Sequence, residues 1–111
     1  MLLEVVMCGR FVITLTPDQI LMVFDTPTPD GYAPSYNVAP TNNILIIPNT
    51  EDRAGMLAHW GMIAPWFKEP KANPKYPTIN ARSETAHEKK TYGGPLRSRR
   101  CLFPATGFYE W

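Results

Sequence analysis

Cys8 follows Met7 directly and leads into Gly9-Arg10-Phe11. If the chain began at Cys8, its α-amine and thiol would sit on adjacent carbons as a 1,2-aminothiol, a pair that traps an aldehyde as a five-membered thiazolidine. A cysteine inside a peptide cannot close that ring. Ordinary pKa values of about 8 for an α-amine and about 8.5 for a thiol leave part of each group reactive near neutral pH. The competing reading is a half-buried thiol that opens an apolar strand with Phe11, Val12 and Ile13, since free cysteine is among the most buried residue types. Residues 1–6, Met1-Leu2-Leu3-Glu4-Val5-Val6, stand in the way of the chemistry, because with them and Met7 attached the amine lies in a peptide bond. The aminothiol therefore requires either translation from Met7 or proteolytic removal of the leader, by the protein itself or otherwise. The leader is not a secretory signal: it has no basic start, carries Glu4 within its apolar stretch and lacks a small-residue cleavage pattern.

The elements that must position Cys8 are short. At 111 residues the chain fits one small domain. Cys8 to Thr14 reads as a strand. Thr16-Pro17-Asp18 supplies a cap, a first-turn proline and an acidic residue for a helix through about Phe24, which buries Ile20, Leu21, Val23 or Phe24. The proline-rich stretch from Asp25 to Pro40 is expected to be an extended, irregular connection. Asn43 to Pro48 and Ala54 to Trp60 form a hairpin across the polar turn Asn49-Thr50-Glu51-Asp52, with Trp60 in the core. Gly61 to Pro77 holds four prolines and reads as a binding loop. Beyond it, Thr78 to Arg82 is extended and Ser83 to about Glu88 is a brief helix. Gly93-Gly94-Pro95 breaks the chain, and Arg100 to Phe103 and Phe108 to Trp111 return as strands.

Charge is divided unevenly along the chain. Residues 1–60 carry two basic and six acidic side chains, net −4, whereas residues 61–111 carry nine basic and four acidic, net +5. In the basic half, lysines and arginines alternate with Trp66, Phe67, Tyr76 and Tyr92. Such a mixture suits a single-stranded nucleic acid groove, where phosphates are neutralised and unstacked bases find flat partners; an ordinary solvated surface is the alternative. Cys8 and Cys101 form no CxxC pair, and His59 and His87 have no ligand-spaced neighbours, so neither a disulfide framework, a metal nor a cofactor is expected. Cys101 reads as a core thiol, His59 as a structural or surface residue and His87 as solvated. No stretch approaches the ~18–20 apolar residues of a membrane span. The expected compartment is the cytoplasm.

Four blocks carry a resemblance: Cys8-Gly9-Arg10-Phe11; Tyr36-Asn37-Val38-Ala39-Pro40-Thr41; Ile79-Asn80-Ala81-Arg82-Ser83-Glu84-Thr85; and the run from Arg100 to Trp111 that ends in Gly107-Phe108-Tyr109-Glu110-Trp111. In order and spacing they resemble the SRAP family, the SOS-response-associated peptidase domain, from Met7 to the last residue. The resemblance implies an α+β, β-rich fold with mostly antiparallel strands in a barrel-like core and short peripheral helices. It also implies an abasic-site sensor on single-stranded DNA that forms a covalent thiazolidine link through an N-terminal cysteine, with an associated autoproteolytic or peptidase activity. Carried over by position, Cys8 is the nucleophile, Asn80 a hydrogen-bond donor near the reacting centre and Glu110 a general acid or base. Arg10 and Arg82 contact phosphate and sugar, and Trp66 and Phe67 meet the bases.

Physical reasons support several of these roles. In an extended segment Asn80 and Arg82 share one face and can meet one substrate together. Phe108 and Glu110 share a face likewise, and apolar neighbours would disfavour an ionised Glu110, fitting it to shuttle protons; pairing with Arg99 or Arg100 is its plainer reading. The sequence also departs from the family pattern. Pro65 falls one place later than usual in the tryptophan-glycine loop, and the family domain continues past Trp111 and contributes a histidine matched by neither His59 nor His87. The chain is thus expected to be the N-terminal portion of one domain, preceded by a leader over residues 1–6 and impaired on its own. Two other classes fit parts of the sequence. Class II glutamine amidotransferases also begin Met-Cys-Gly, but Arg10-Phe11 and Asn80-Ala81-Arg82 favour SRAP, and the Asn-Gly pair those enzymes use is absent. A non-catalytic single-stranded nucleic acid binder would need only the basic, aromatic half.

Overall fold

In the computed structural model, which describes residues 8–66, 68 and 78–110, the first element is the strand β1 (Arg10–Ile13), shorter than expected because Cys8 and Gly9 lie outside the ladder. Helix α1 (Pro17–Phe24) starts on a reciprocal cap: Thr16 Oγ1 accepts from the Gln19 N–H at 3.2 Å while Gln19 Oε1 accepts from the Thr16 N–H at 2.9 Å. Pro17, which has no N–H to leave unsatisfied, takes the first helical position. Asp25 ends the helix with φ 55°, and its N–H donates to the Leu21 carbonyl at 2.9 Å. Ile20 alone of its apolar residues is fully buried; Leu21 and Val23, two of the other candidates, are exposed.

The proline-rich connection contains a strand that the composition concealed. β2 (Ser35–Val38) lies between Pro34 and Pro40, so no proline interrupts its own N–H groups. It pairs antiparallel with β1, Phe11 opposite Val38 and Ile13 opposite Ser35, with an irregularity between them. The expected hairpin is present as β3 (Asn43–Pro48) and β4 (Met56–His59), registered from Asn43↔His59 to Ile46↔Met56.

The later elements are shorter still. The expected helix after Ser83 is reduced to a 3₁₀ turn at Ala86–Glu88, and the Gly-Gly-Pro expected to break the chain opens helix α2 (Gly93–Ser98) instead. Pro95 is tolerated because it stands in the first turn. Gly93 is required for a different reason: a Cβ there would lie 2.8 Å from the His87 carbonyl oxygen. β5 (Cys101–Leu102) and β6 (Gly107–Tyr109) complete two three-stranded antiparallel sheets, ordered β2-β1-β6 and β4-β3-β5. Cys101, expected in the core, is exposed on the edge strand β5, because that strand has a neighbour on one side only.

The fold is α+β as expected, but no closed barrel forms among the described residues. The sheets share no ladder, and a cavity of about 370 Å³ lies between them, lined by Phe11 and Val38 on one side and Ile44, Leu45 and Leu57 on the other. What joins the sheets is side-chain packing. Phe11, Ile13, Ile20, Val38, Ile44, Leu45 and Trp60 form one buried cluster, in which Phe11 meets Trp60 and Phe103 edge-on with ring centroids 5.3 and 4.5 Å apart. Burial of each large apolar side chain contributes roughly 1.5–3 kcal/mol. No helix among the described residues is long and apolar enough to cross a membrane.

Candidate functional site

Cys8 sits just before β1, half-buried against the apolar cluster, and its Sγ donates to the Arg10 carbonyl at 3.5 Å. Seventy-two residues away in sequence, the Asn80 side-chain amide donates to the Cys8 carbonyl at 2.8 Å. Asn80 is expected in an extended segment, sharing a face with Arg82. The segment from Thr78 to Arg82 pairs with no strand, and its order comes from individual hydrogen bonds. The Trp60 indole donates to the Ile79 carbonyl at 3.3 Å, Thr78 and Met62 bond reciprocally (Thr78 Oγ1 to the Met62 carbonyl at 2.6 Å, Met62 N–H to the Thr78 carbonyl at 3.2 Å), and the Tyr92 hydroxyl donates to the Asn80 carbonyl at 3.0 Å. A buried carbonyl without a partner costs about 1–3 kcal/mol, so these contacts hold an irregular backbone in one arrangement.

Arg10 projects from the start of β1, where its guanidinium donates to Asn37 Oδ1 of β2 at 2.9 Å. Asn37 lies within the Tyr36–Thr41 block, yet its tie to Arg10 could not be read from the sequence, because it depends on the β1–β2 pairing. On the other side of β1 the register runs Arg10↔Tyr109, Phe11↔Phe108 and Val12↔Gly107. Glu110 follows Tyr109 directly, just past the last pair of that ladder. Its side chain is exposed rather than enclosed by apolar neighbours, and Phe108, opposite the 2% exposed Phe11, is itself 66% exposed. The expected apolar enclosure of Glu110 is therefore not present among the described residues.

The remaining site residues stand apart. Arg82 is exposed and begins the turn into the 3₁₀ segment, its carbonyl accepting from the Thr85 and Ala86 N–H groups. Trp66 is 58% exposed, and Phe67 lies outside the described residues. The structure thus joins Cys8 to Asn80 and, through the Arg10 carbonyl, to β1, sets Glu110 just past the end of β6, and leaves Arg82 and Trp66 at the surface. Among the described residues no lysine or arginine lies within ion-pair distance of a carboxylate, so Arg82, Arg97, Arg99 and Arg100 are not neutralised by any described carboxylate; His87 Nε2 lies 3.5 Å from Glu88 Oε1. Burial pushes the Tyr92 hydroxyl above its ordinary pKa, and desolvation likewise raises the Cys101 thiol even though part of that residue is exposed. No group of three or more histidine, cysteine, aspartate or glutamate residues that could hold a metal occurs among the described residues. His59 is expected to be structural or at the surface; it is partly buried, and its Nε2 has no hydrogen-bond partner among the described residues.

The family model described as "SOS response associated peptidase (SRAP)" matches residues 7–111. The chain belongs to the SRAP family. Among its curated relatives, Abasic site processing protein YoqW of Bacillus subtilis is 49% identical over 110 residues, which cover 95% of this chain and 48% of the relative. Abasic site processing protein HMCES of Xenopus tropicalis is 32% identical over 130 residues, covering 95% and 39%. A crystal structure of a protein from Bordetella bronchiseptica superposes with a TM-score of 0.71 at 21% identity, covering 92% of this chain and 50% of that one, and so shares the fold. The chain spans about half the length of the curated relatives it matches. The SRAP match starts at Met7, so residues 1–6 lie outside it.

Proposed function

We propose that this SRAP chain processes abasic sites in single-stranded DNA, and that Cys8, once it is the first residue, captures the ring-opened sugar as a thiazolidine. The observation that carries this reading is the Asn80 amide on the Cys8 carbonyl, since it ties two of the family blocks together at the one residue able to become an aminothiol. In the reaction, the Cys8 amine adds to the sugar aldehyde and the resulting carbinolamine loses water to give an imine. The thiol then adds to the imine carbon, and its proton passes to the nitrogen. One water leaves and no redox partner is needed. Glu110, which directly follows β6, the strand paired with β1, can relay the protons that dehydration and ring closure require.

Arg10, braced by Asn37, and Arg82, which no described carboxylate neutralises, supply charge for the phosphates flanking the lesion. Trp66 offers an exposed indole for a neighbouring base, and the same stacking role is assigned to Phe67. A peptidase step that removes Met7 and the leader would generate the reactive terminus, and a DNA substrate sets the work in the cytoplasm, at the nucleoid. The test mixes protein of defined Cys8 terminus with a single-stranded oligonucleotide bearing one abasic site. Wild type should give a band that survives denaturation, and Cys8→Ala should give none. Equal crosslinking by both proteins would overturn the reading, and reversible binding of intact DNA without any adduct would leave a non-catalytic binder.

A further inference from the structure

We infer that Tyr92 is a positioning residue for the chemistry of Cys8, acting through Asn80. This inference rests on the reading of Cys8 as the aldehyde-trapping residue. Asn80 belongs to no helix or strand, so its backbone lacks the ladder that would otherwise hold it. Its side-chain amide reaches the Cys8 carbonyl, and its own carbonyl accepts from the Tyr92 hydroxyl at 3.0 Å. The two bonds form a chain from α2 to the reactive residue: phenol to backbone carbonyl, then side-chain amide to backbone carbonyl.

Tyr92 can serve as a fixed support because its own backbone is held on both sides. Its N–H donates to the Lys89 carbonyl at 3.2 Å, and its carbonyl accepts from the Leu96 N–H at 2.9 Å as α2 begins. Immediately after it, Gly93 packs so closely on the His87 carbonyl that no Cβ fits without a shift. The phenol is half-buried, and burial raises its pKa, so the hydroxyl remains a donor throughout the range in which an aminothiol reacts. At the far end of the chain, the bond to the Cys8 carbonyl fixes the Cys8–Gly9 peptide plane. That plane orients the Cys8 Cα, which carries both the amine and the thiol-bearing Cβ. Without the phenol, the Asn80 carbonyl loses its described partner, the amide spends less time on Cys8, and the two reacting groups lose their common orientation.

Tyr92→Phe isolates this role, since it keeps the ring and deletes only the donor. With Cys8-terminal protein and an abasic single-stranded oligonucleotide at saturation, the rate constant for adduct formation should fall by about three- to tenfold, the range of one net hydrogen bond. Affinity for the corresponding intact oligonucleotide should stay at the wild-type value while the melting temperature falls by only the few degrees that one hydrogen bond is worth, a split that a general loss of packing would not produce. A second readout is independent of the DNA reaction: the NMR signals of the Asn80 side-chain amide, slow to exchange in wild type, should exchange faster in Tyr92→Phe. A wild-type adduct rate in the variant, or an Asn80 amide equally protected in both proteins, would overturn the inference. If wild type forms no adduct while Tyr92→Phe still loosens the Asn80 amide, the assigned reaction fails and the positioning of Asn80 by Tyr92 stands.

Discussion

Residues 8–60 and residues 78–110 are built on different principles. The first stretch supplies Phe11, Ile13, Ile20, Val38, Ile44, Leu45, Ile47 and Trp60 to the buried core, whereas the second buries only the small apolar side chains of Ala86 and Pro104. The first holds its strands in two sheets, a capped helix and a hairpin; the second is held mostly by single hydrogen bonds, such as Trp60 to Ile79 and Tyr92 to Asn80, and by two short edge strands. Apolar burial is non-directional and tolerates small shifts, but a hydrogen bond weakens steeply once its geometry is lost. The division teaches that stability resides chiefly in the first stretch, while the second sets where the groups around Cys8 point. The two meet at Trp60, whose ring packs on Phe11 and whose indole N–H holds Ile79.

The largest expected effect falls on the framework. Phe11→Ala removes the ring that joins Trp60 and Phe103, and should cost about 3–5 kcal/mol, the range for a buried aromatic. Urea unfolding should show the midpoint falling, with reactivity lost in parallel; retained stability would break the contrast. Gly93→Ala tests the boundary. The added methyl meets the His87 carbonyl and should cost about 1–3 kcal/mol by overpacking, while displacing Tyr92 and slowing the Cys8 reaction more than the stability loss explains. If rate and stability fell in strict proportion, Tyr92 would have no separate part.

The smallest effect is a pH dependence. Burial raises the pKa of Tyr92 and Tyr32 in the folded chain, so folding favours the protonated phenols. The stability this contributes is fully present below the unfolded value near 10 and is lost as pH rises through the folded values. Thermal melts between pH 9 and 11 should record a decline that is shallower in Tyr92→Phe, whereas identical slopes would remove Tyr92 from the account.

Much of the framework was legible because its signals are local. Thr16-Pro17 and Gln19 specify a helix start through contacts within four residues, and the apolar run at Asn43–Pro48 announces a strand that its hairpin partner confirms. β2 was not legible, since four residues between prolines become a strand only when β1 lies beside them. Gly93-Gly94-Pro95 reads as a break until the fit of Gly93 against His87 is known. The apolar neighbours expected around Glu110 depended on strand parity, but parity says which residues share a face and not what covers it.

By itself, the sequence determined the family and the identity and order of the blocks that carry it, because residue type and order along the chain set these. The tertiary structure decided which blocks touch. The Asn80 amide on Cys8, Asn37 on Arg10 and Tyr92 on Asn80 span 72, 27 and 12 residues, and no local rule reaches that far. Directional bonds of this kind exist only after the core of residues 8–60 has brought the backbones together, since each alone is too weak to meet the entropy cost of ordering the chain.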